Sequence, residues 1–196
     1  PVDIIAHYIY KLSGLPKNQV IGTGTAIDSA RLQNMIAQTV NVDPRSVHAY
    51  SMGEHGDSQM VPWSTVTIAG KPFYDVIADN KELVGDVDLD ELVYRTTQEG
   101  WEIFNRKGTT YYGIATACVG VIKAILNDEN RIIPVSTLLE GEYGERDVYA
   151  GVPTVLNRSG AYDVLEIHMT PGELARFKES TRVIREYTDR IMKLNL

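Results

Sequence analysis

Residues 19–31, Gln19-Val20-Ile21-Gly22-Thr23-Gly24-Thr25-Ala26-Ile27-Asp28-Ser29-Ala30-Arg31, pass from a β-branched pair through a glycine turn into helical periodicity. How they are read decides the fold. Strand, Gly-x-Gly turn and helix invite comparison with a dinucleotide-binding unit, yet Ile27 stands where the third glycine of that fingerprint belongs. The other reading is a plain turn from a short buried strand, Gln19-Val20-Ile21, into a helix from about Ala26 to Val40. Ile27, Ala30, Leu32, Met35 and Ile36 supply the apolar positions of that helix.

Working outward, Val2, Ile5, Ala6, Ile9 and Leu12 describe an amphipathic helix that stops at Gly14. Pro1 suits the first helical position, and a helix starting at residue one with no initiator methionine is expected of a chain cut from a longer one. Downstream, Val47–Met52 alternates like a strand, and Val66-Thr67-Ile68 with Gly70-Lys71-Pro72 reads as a hairpin. Helices are predicted over Leu89–Arg106, stopped by Gly108, and over Tyr111–Leu126, where Ala115, Ala117, Gly120 and Ala124 suit close packing. Two or three β-rich segments follow between Ile132 and Met169. Thr170-Pro171-Gly172-Glu173 is a capping signature for a last helix reaching almost to Leu196. The sum is a mixed α+β domain.

Composition narrows the function classes. With 43% hydrophobic and 23% charged residues in 196, the chain is neither disordered nor fibrous. Nineteen basic against 26 acidic residues, net charge −7, argue against nucleic acid as a partner. The single cysteine, Cys118, excludes an internal disulfide and a multi-cysteine zinc site, and it points to a reducing compartment, the cytoplasm. No apolar run approaches about 18 residues, so no membrane span is predicted.

Three residue types form a coherent chemical set. Asp28 and Arg31 lie three apart, on one helix face. His55, within Gly53-Glu54-His55-Gly56-Asp57, is presented on a loop, where functional residues concentrate. A histidine exchanges protons near neutral pH, and a carboxylate on its other ring nitrogen fixes the tautomer and favours the imidazolium. An arginine fork binds a carboxylate bidentately. Together they fit proton transfer at a carbonyl or alcohol beside a carboxylate. The set holds no nucleophile and offers no metal cluster. Taken singly, each has a plainer reading, as a surface ion pair or a solvated loop histidine. Cys118 reads as a packing residue, and His7 and His168 read as surface or core-edge residues. Asn157-Arg158-Ser159 matches a glycosylation sequon in a chain with no sign of secretion.

Gly24–Leu32, Gly53–Ser58, Met60-Val61-Pro62-Trp63-Ser64 and Lys107–Ala115 together closely resemble the C-terminal portion of the L-lactate dehydrogenases, bacterial forms especially. The resemblance extends over the whole chain. It implies the C-terminal catalytic domain of the lactate/malate dehydrogenase superfamily at residues 23–196, and at 1–22 the tail of a Rossmann domain otherwise upstream. It implies NAD as cofactor, with the cofactor-binding residues mostly upstream, and reversible reduction of pyruvate to L-lactate. In it His55 is the proton donor and acceptor, Asp28 orients and stabilises its imidazolium, Arg31 clamps the substrate carboxylate and Thr110 lines the pocket. On this reading the 196-residue chain alone is inactive. The resemblance further implies a homotetramer. Some bacterial members are activated by fructose 1,6-bisphosphate, and the matching positions here are Gln33 and His48; a basic residue is lost at Gln33, which argues against activation. Malate and L-2-hydroxyisocaproate dehydrogenases of the same superfamily are the neighbouring readings, and a non-catalytic interaction domain is the alternative of another class.

Overall fold

A computed structural model describes residues 2–193. Local signals set most element boundaries. Helix α1 (Val2–Ser13) ends before Gly14; the expected role of Pro1 as its first residue lies outside the described residues. Helix α2 (Gly24–Val40) begins two residues earlier than its periodicity predicts, taking in Gly24, and ends at Asn41 in the left-handed region. The strand expected at Gln19–Ile21 does not form: Lys17–Gln19 is a 3-10 turn, and only Gly22 joins a sheet, bridging Ser136. Val20 is buried as expected, because a β-branched residue reports burial here rather than an extended ladder.

Strands β1 (Val47–His48), β2 (Thr67–Ile68) and β3 (Lys71–Pro72) form a small antiparallel sheet. The alternation across Val47–Met52 gives only two paired residues, after which the chain leaves the sheet and pairs again at Met52 with Met60. Two short helices follow, α3 (Phe73–Asp79) and α4 (Lys81–Val84). Helix α5 (Leu89–Lys107) is capped by the Asp88 carboxylate, which accepts from the amides of Asp90 and Glu91, and Gly108 ends it in the left-handed conformation. Helix α6 (Tyr111–Leu126) has the bounds its sequence predicts. Its small residues do not all pack, however: Ala124 is buried, Ala115 is exposed, and Ala117 and Gly120 are half-buried.

The second sheet is the centre of the molecule. Strands β4 (Arg131–Glu140), β5 (Arg146–Asn157) and β6 (Gly160–Val164) make an antiparallel meander. Ile133–Leu139 and Val148–Thr154 are buried without interruption, as strands covered on both faces must be. Val121 and Ala124 of α6 pack with Ile133 and Val135. Ala6 of α1 packs with Leu138 and Tyr149. Helix α7 (Pro171–Met192), opened by the expected reciprocal Thr170–Glu173 capping box, sets Phe177 and Ile184 against Leu139, Val148 and Val152. The last residues expected of this helix, 194–196, lie outside the described residues. A separate core of Leu32, Ile36, Val47, Val66 and Phe73 joins α2 to the small sheet. Among the described residues no helix is long and apolar enough to cross a membrane.

Candidate active site

The loop that carries His55 is fixed at both ends by backbone pairing. Met52 and Met60 exchange hydrogen bonds at 2.8 and 2.9 Å, and Gly53 and Gly151 of β5 exchange theirs at 2.9 and 2.8 Å. The hydroxyl of Ser180, on α7, accepts from the Glu54 amide at 2.8 Å. The histidine backbone is therefore tied to the central sheet and to α7.

Helix α2 passes directly beneath. A Cβ at position 24 would lie 2.4 Å from His55 Cβ and 2.8 Å from Val2 Cγ1, so only glycine lets α2 come this close. That contact puts Asp28, one turn on and 2% exposed, against the imidazole. His55 Nδ1 donates to Asp28 Oδ2 at 2.6 Å, and Arg31 Nη1 donates to Asp28 Oδ1 at 3.3 Å. One carboxylate thus serves both cations with separate oxygens. The Asp28 bond raises the pKa of His55 above the usual histidine value, overcoming the opposite pull of desolvation; the charges of Asp28 and Asp3 act in the same direction. With Nδ1 committed, Nε2 is the ring nitrogen left for a substrate.

His55, Asp28, Arg31 and Thr110 all line one cleft of about 670 Å³. Thr97, Trp101 and Phe104 of α5 and Ile114 of α6 form another wall, and Ile27 and the histidine loop complete it. Gln33 and His48 do not line it. Half-buried Gln33 donates from Nε2 to the carbonyl of Ala49 at 3.0 Å, the residue after the exposed His48.

The Gly22–Gly24 turn is not a phosphate cradle. Both polar backbone groups of Gly22 are spent on Ser136, and the space above Gly24 is filled by His55. His7 is not a surface residue: it is 4% exposed, between α1 and the sheet. His168 is exposed and Cys118 half-buried, with its sulfur 3.9 Å from Thr23 Oγ1.

Three contributors escaped the sequence reading. Gln59 accepts from Ser51 and donates to Thr97, both at 2.6 Å, linking the histidine loop to α5. Gly100 faces the guanidinium, where a Cβ would approach Arg31 Nη1 to 3.3 Å; a glycine inside a predicted helix was the available signal. Asp3 accepts from the backbone amide of His55 at 2.9 Å, and no local pattern marks it.

Residues 25–194 match the lactate/malate dehydrogenase family in its alpha/beta C-terminal domain. The chain is 51% identical over 187 residues to L-lactate dehydrogenase 3 of Bacillus cereus, covering 95% of this chain and 59% of that protein. It is 46% identical over 192 residues to L-lactate dehydrogenase 1 of Bifidobacterium longum, covering 98% and 61%. The crystal structure of the minor L-lactate dehydrogenase from Enterococcus mundtii in its ligands-bound form superposes with a TM-score of 0.92 at 40% identity, over 97% of this chain and 60% of that one. The chain thus spans about three fifths of the length of the relatives it matches. With the family model matching residues 25–194, relatives about half identical in sequence and the fold shared with a solved member, the chain belongs to the lactate/malate dehydrogenase family, as its C-terminal domain.

Proposed function

We propose that this chain is the substrate-handling part of an NAD-dependent L-lactate dehydrogenase that interconverts pyruvate and L-lactate. The observation that carries this reading is a single buried carboxylate, Asp28, hydrogen-bonded to both His55 and Arg31 at the edge of one cleft. In pyruvate reduction the Arg31 guanidinium, with one N–H on Asp28 and no other partner among the described residues, binds the substrate carboxylate. That orientation turns the keto oxygen toward His55 Nε2. The imidazolium gives its proton to this oxygen as the carbonyl carbon is reduced, and Asp28 holds the charge that makes the imidazolium available. In lactate oxidation neutral His55 takes the hydroxyl proton back. Thr110, at the start of α6, bounds the pocket beside the substrate's methyl group.

NAD supplies or accepts the hydride when bound. The described residues fit its reacting end, through the apolar wall of Ile27 and Ile114 beside His55. We place the phosphate-binding residues in the part of the relatives' length that this chain does not span, with the boundary near residue 22 and α1 as the dinucleotide-binding part's last helix. The complete enzyme is proposed to be a cytoplasmic homotetramer. Because one amide N–H of Gln33 is engaged by Ala49, we propose weak or no activation by fructose 1,6-bisphosphate.

The test is Arg31→Lys in the complete enzyme, followed by NADH consumption against pyruvate. Charge is kept and the planar fork lost, so KM for pyruvate rises about a hundredfold, roughly 3 kcal/mol, while NADH affinity is unchanged. A KM within about threefold of the original would place the carboxylate site elsewhere.

A further inference from the structure

Asp28 explains how the ring of His55 is held, but not how its backbone is. Helix α1 answers that from the other side. Its first turn lies under the histidine: Val2 Cγ1 and His55 Cβ both crowd the Cα of Gly24. On the next residue Asp3, 1% exposed, sets Oδ2 2.9 Å from the His55 amide. A carboxylate in the first turn of a helix is favoured by the helix dipole.

We propose that Asp3 is a positioning residue for proton transfer, fixing the His55 backbone so that Nδ1 meets Asp28 and supplying a second negative charge behind the imidazole. This deepens the reading of His55 as the proton carrier and rests on it. Among the described residues the charged groups facing His55 are Asp28 and Arg31 from α2, Asp3 from α1, and Glu54 and Asp57 from its own loop; the α5 and α6 residues lining the cleft carry none. Glu54 accepts from the Ser58 hydroxyl at 2.5 Å and Arg31 is bound to Asp28, so Asp3 is the one acid beside Asp28 with a direct bond to the histidine among the described residues. The Asp3 charge raises the His55 pKa, adding to the larger effect of Asp28. Burial pushes the Asp3 carboxyl itself up, opposed by Ser136 and by the His55 amide.

Two substitutions separate the roles. Asp3→Asn keeps an oxygen that can accept from the amide and removes the charge; Asp3→Ala removes both. In the complete enzyme, measured for pyruvate reduction from about pH 6 to 9, Asp3→Asn should move the alkaline limit of kcat/KM to lower pH. The NMR titration of the His55 ring should move with it. Asp3→Ala should in addition lower kcat about a hundredfold at every pH, the scale of a misplaced reacting group, with KM for pyruvate little changed. Recovery of kcat by asparagine over alanine marks the positioning role. An unmoved alkaline limit and an unmoved titration in Asp3→Asn overturn the proposal, whatever happens to thermal stability. If Asp3→Ala does not fold, Asp3→Asn alone decides. Were the parent enzyme inactive on pyruvate while the His55 titration still shifted in Asp3→Asn, the substrate reading would fail and the role of Asp3 would stand.

Discussion

Two histidines in this chain each face an aspartate, and their surroundings move them in opposite directions. His55 lies 2.6 Å from Asp28, whose side chain is 3% exposed, and its pKa is raised. His7 lies 3.5 Å from Asp147, whose side chain is 63% exposed, and burial lowers its pKa against the pull of Asp147. Asp28 gives each cation its own oxygen. Asp147 offers one oxygen, Oδ1, to both His7 and Lys11, and Lys11 holds it at 2.8 Å. A solvated carboxylate sharing one oxygen loses to desolvation; a dry one that gives the histidine an oxygen of its own wins. The first arrangement favours the neutral form of a histidine packed against the sheet, and the second favours the charged form of the histidine at the cleft.

Removing the dry carboxylate is the most severe way to break this contrast. Asp28→Asn should lower kcat/KM for pyruvate by about 10²- to 10⁴-fold and shift its alkaline limit to lower pH, since the imidazolium then lacks its main partner. An unchanged pH profile would remove Asp28 from the mechanism. A smaller effect is expected at the other histidine. His7 is held below the unfolded value of about 6.5, so the unfolded chain takes up a proton first and stability falls as pH drops below that value. His7→Gln should cost about 1–3 kcal/mol at neutral pH, as a change in a buried contact, yet lose less on acidification than the parent. Urea unfolding at pH 5 and pH 7.5 compares the two slopes, and parallel losses would mean His7 does not titrate with folding. His55 has the reverse sign: its contribution is complete below about pH 6.5 and is lost as pH rises through its raised folded value. The smallest effect sharpens the contrast. Asp147→Asn should change stability by less than about 0.5 kcal/mol, because its ion pairs are largely solvated. A loss well above 1 kcal/mol in the same assay would show that exposure does not screen it.

What was legible in the sequence was local or carried by a motif. The Gly108 stop, the Thr170 cap and the bounds of α6 depend on neighbours within a few residues, and those neighbours are visible in the string. Asp28, Arg31 and His55 were legible because their types match one reaction and their motifs one family. Asp3 was not, since its meaning comes from a contact with a residue 52 positions away. His7 sits on a helix whose periodicity gives it no special status, and its burial is set by Tyr149 across the seam, with ring centroids 5.7 Å apart. The missing strand at Gln19–Ile21 and the partly bare small-residue face of α6 share one cause. Sequence shows what a segment can pack against, while the partner is chosen by the rest of the fold.

The backbone pairings at two glycines, one before α2 and one at the histidine loop, also govern when the site can exist. Gly22 meets Ser136, and Gly53 meets Gly151, each joining segments far apart in the chain. Helices and the β4–β5 hairpin can form from near neighbours, but these two closures require the sheet to be in place first. Until they are made, Asp3, Asp28 and His55 belong to separate pieces of chain. The candidate site is accordingly completed by long-range contacts, so a refolding sample should regain its secondary structure before the His55 ring regains its raised titration.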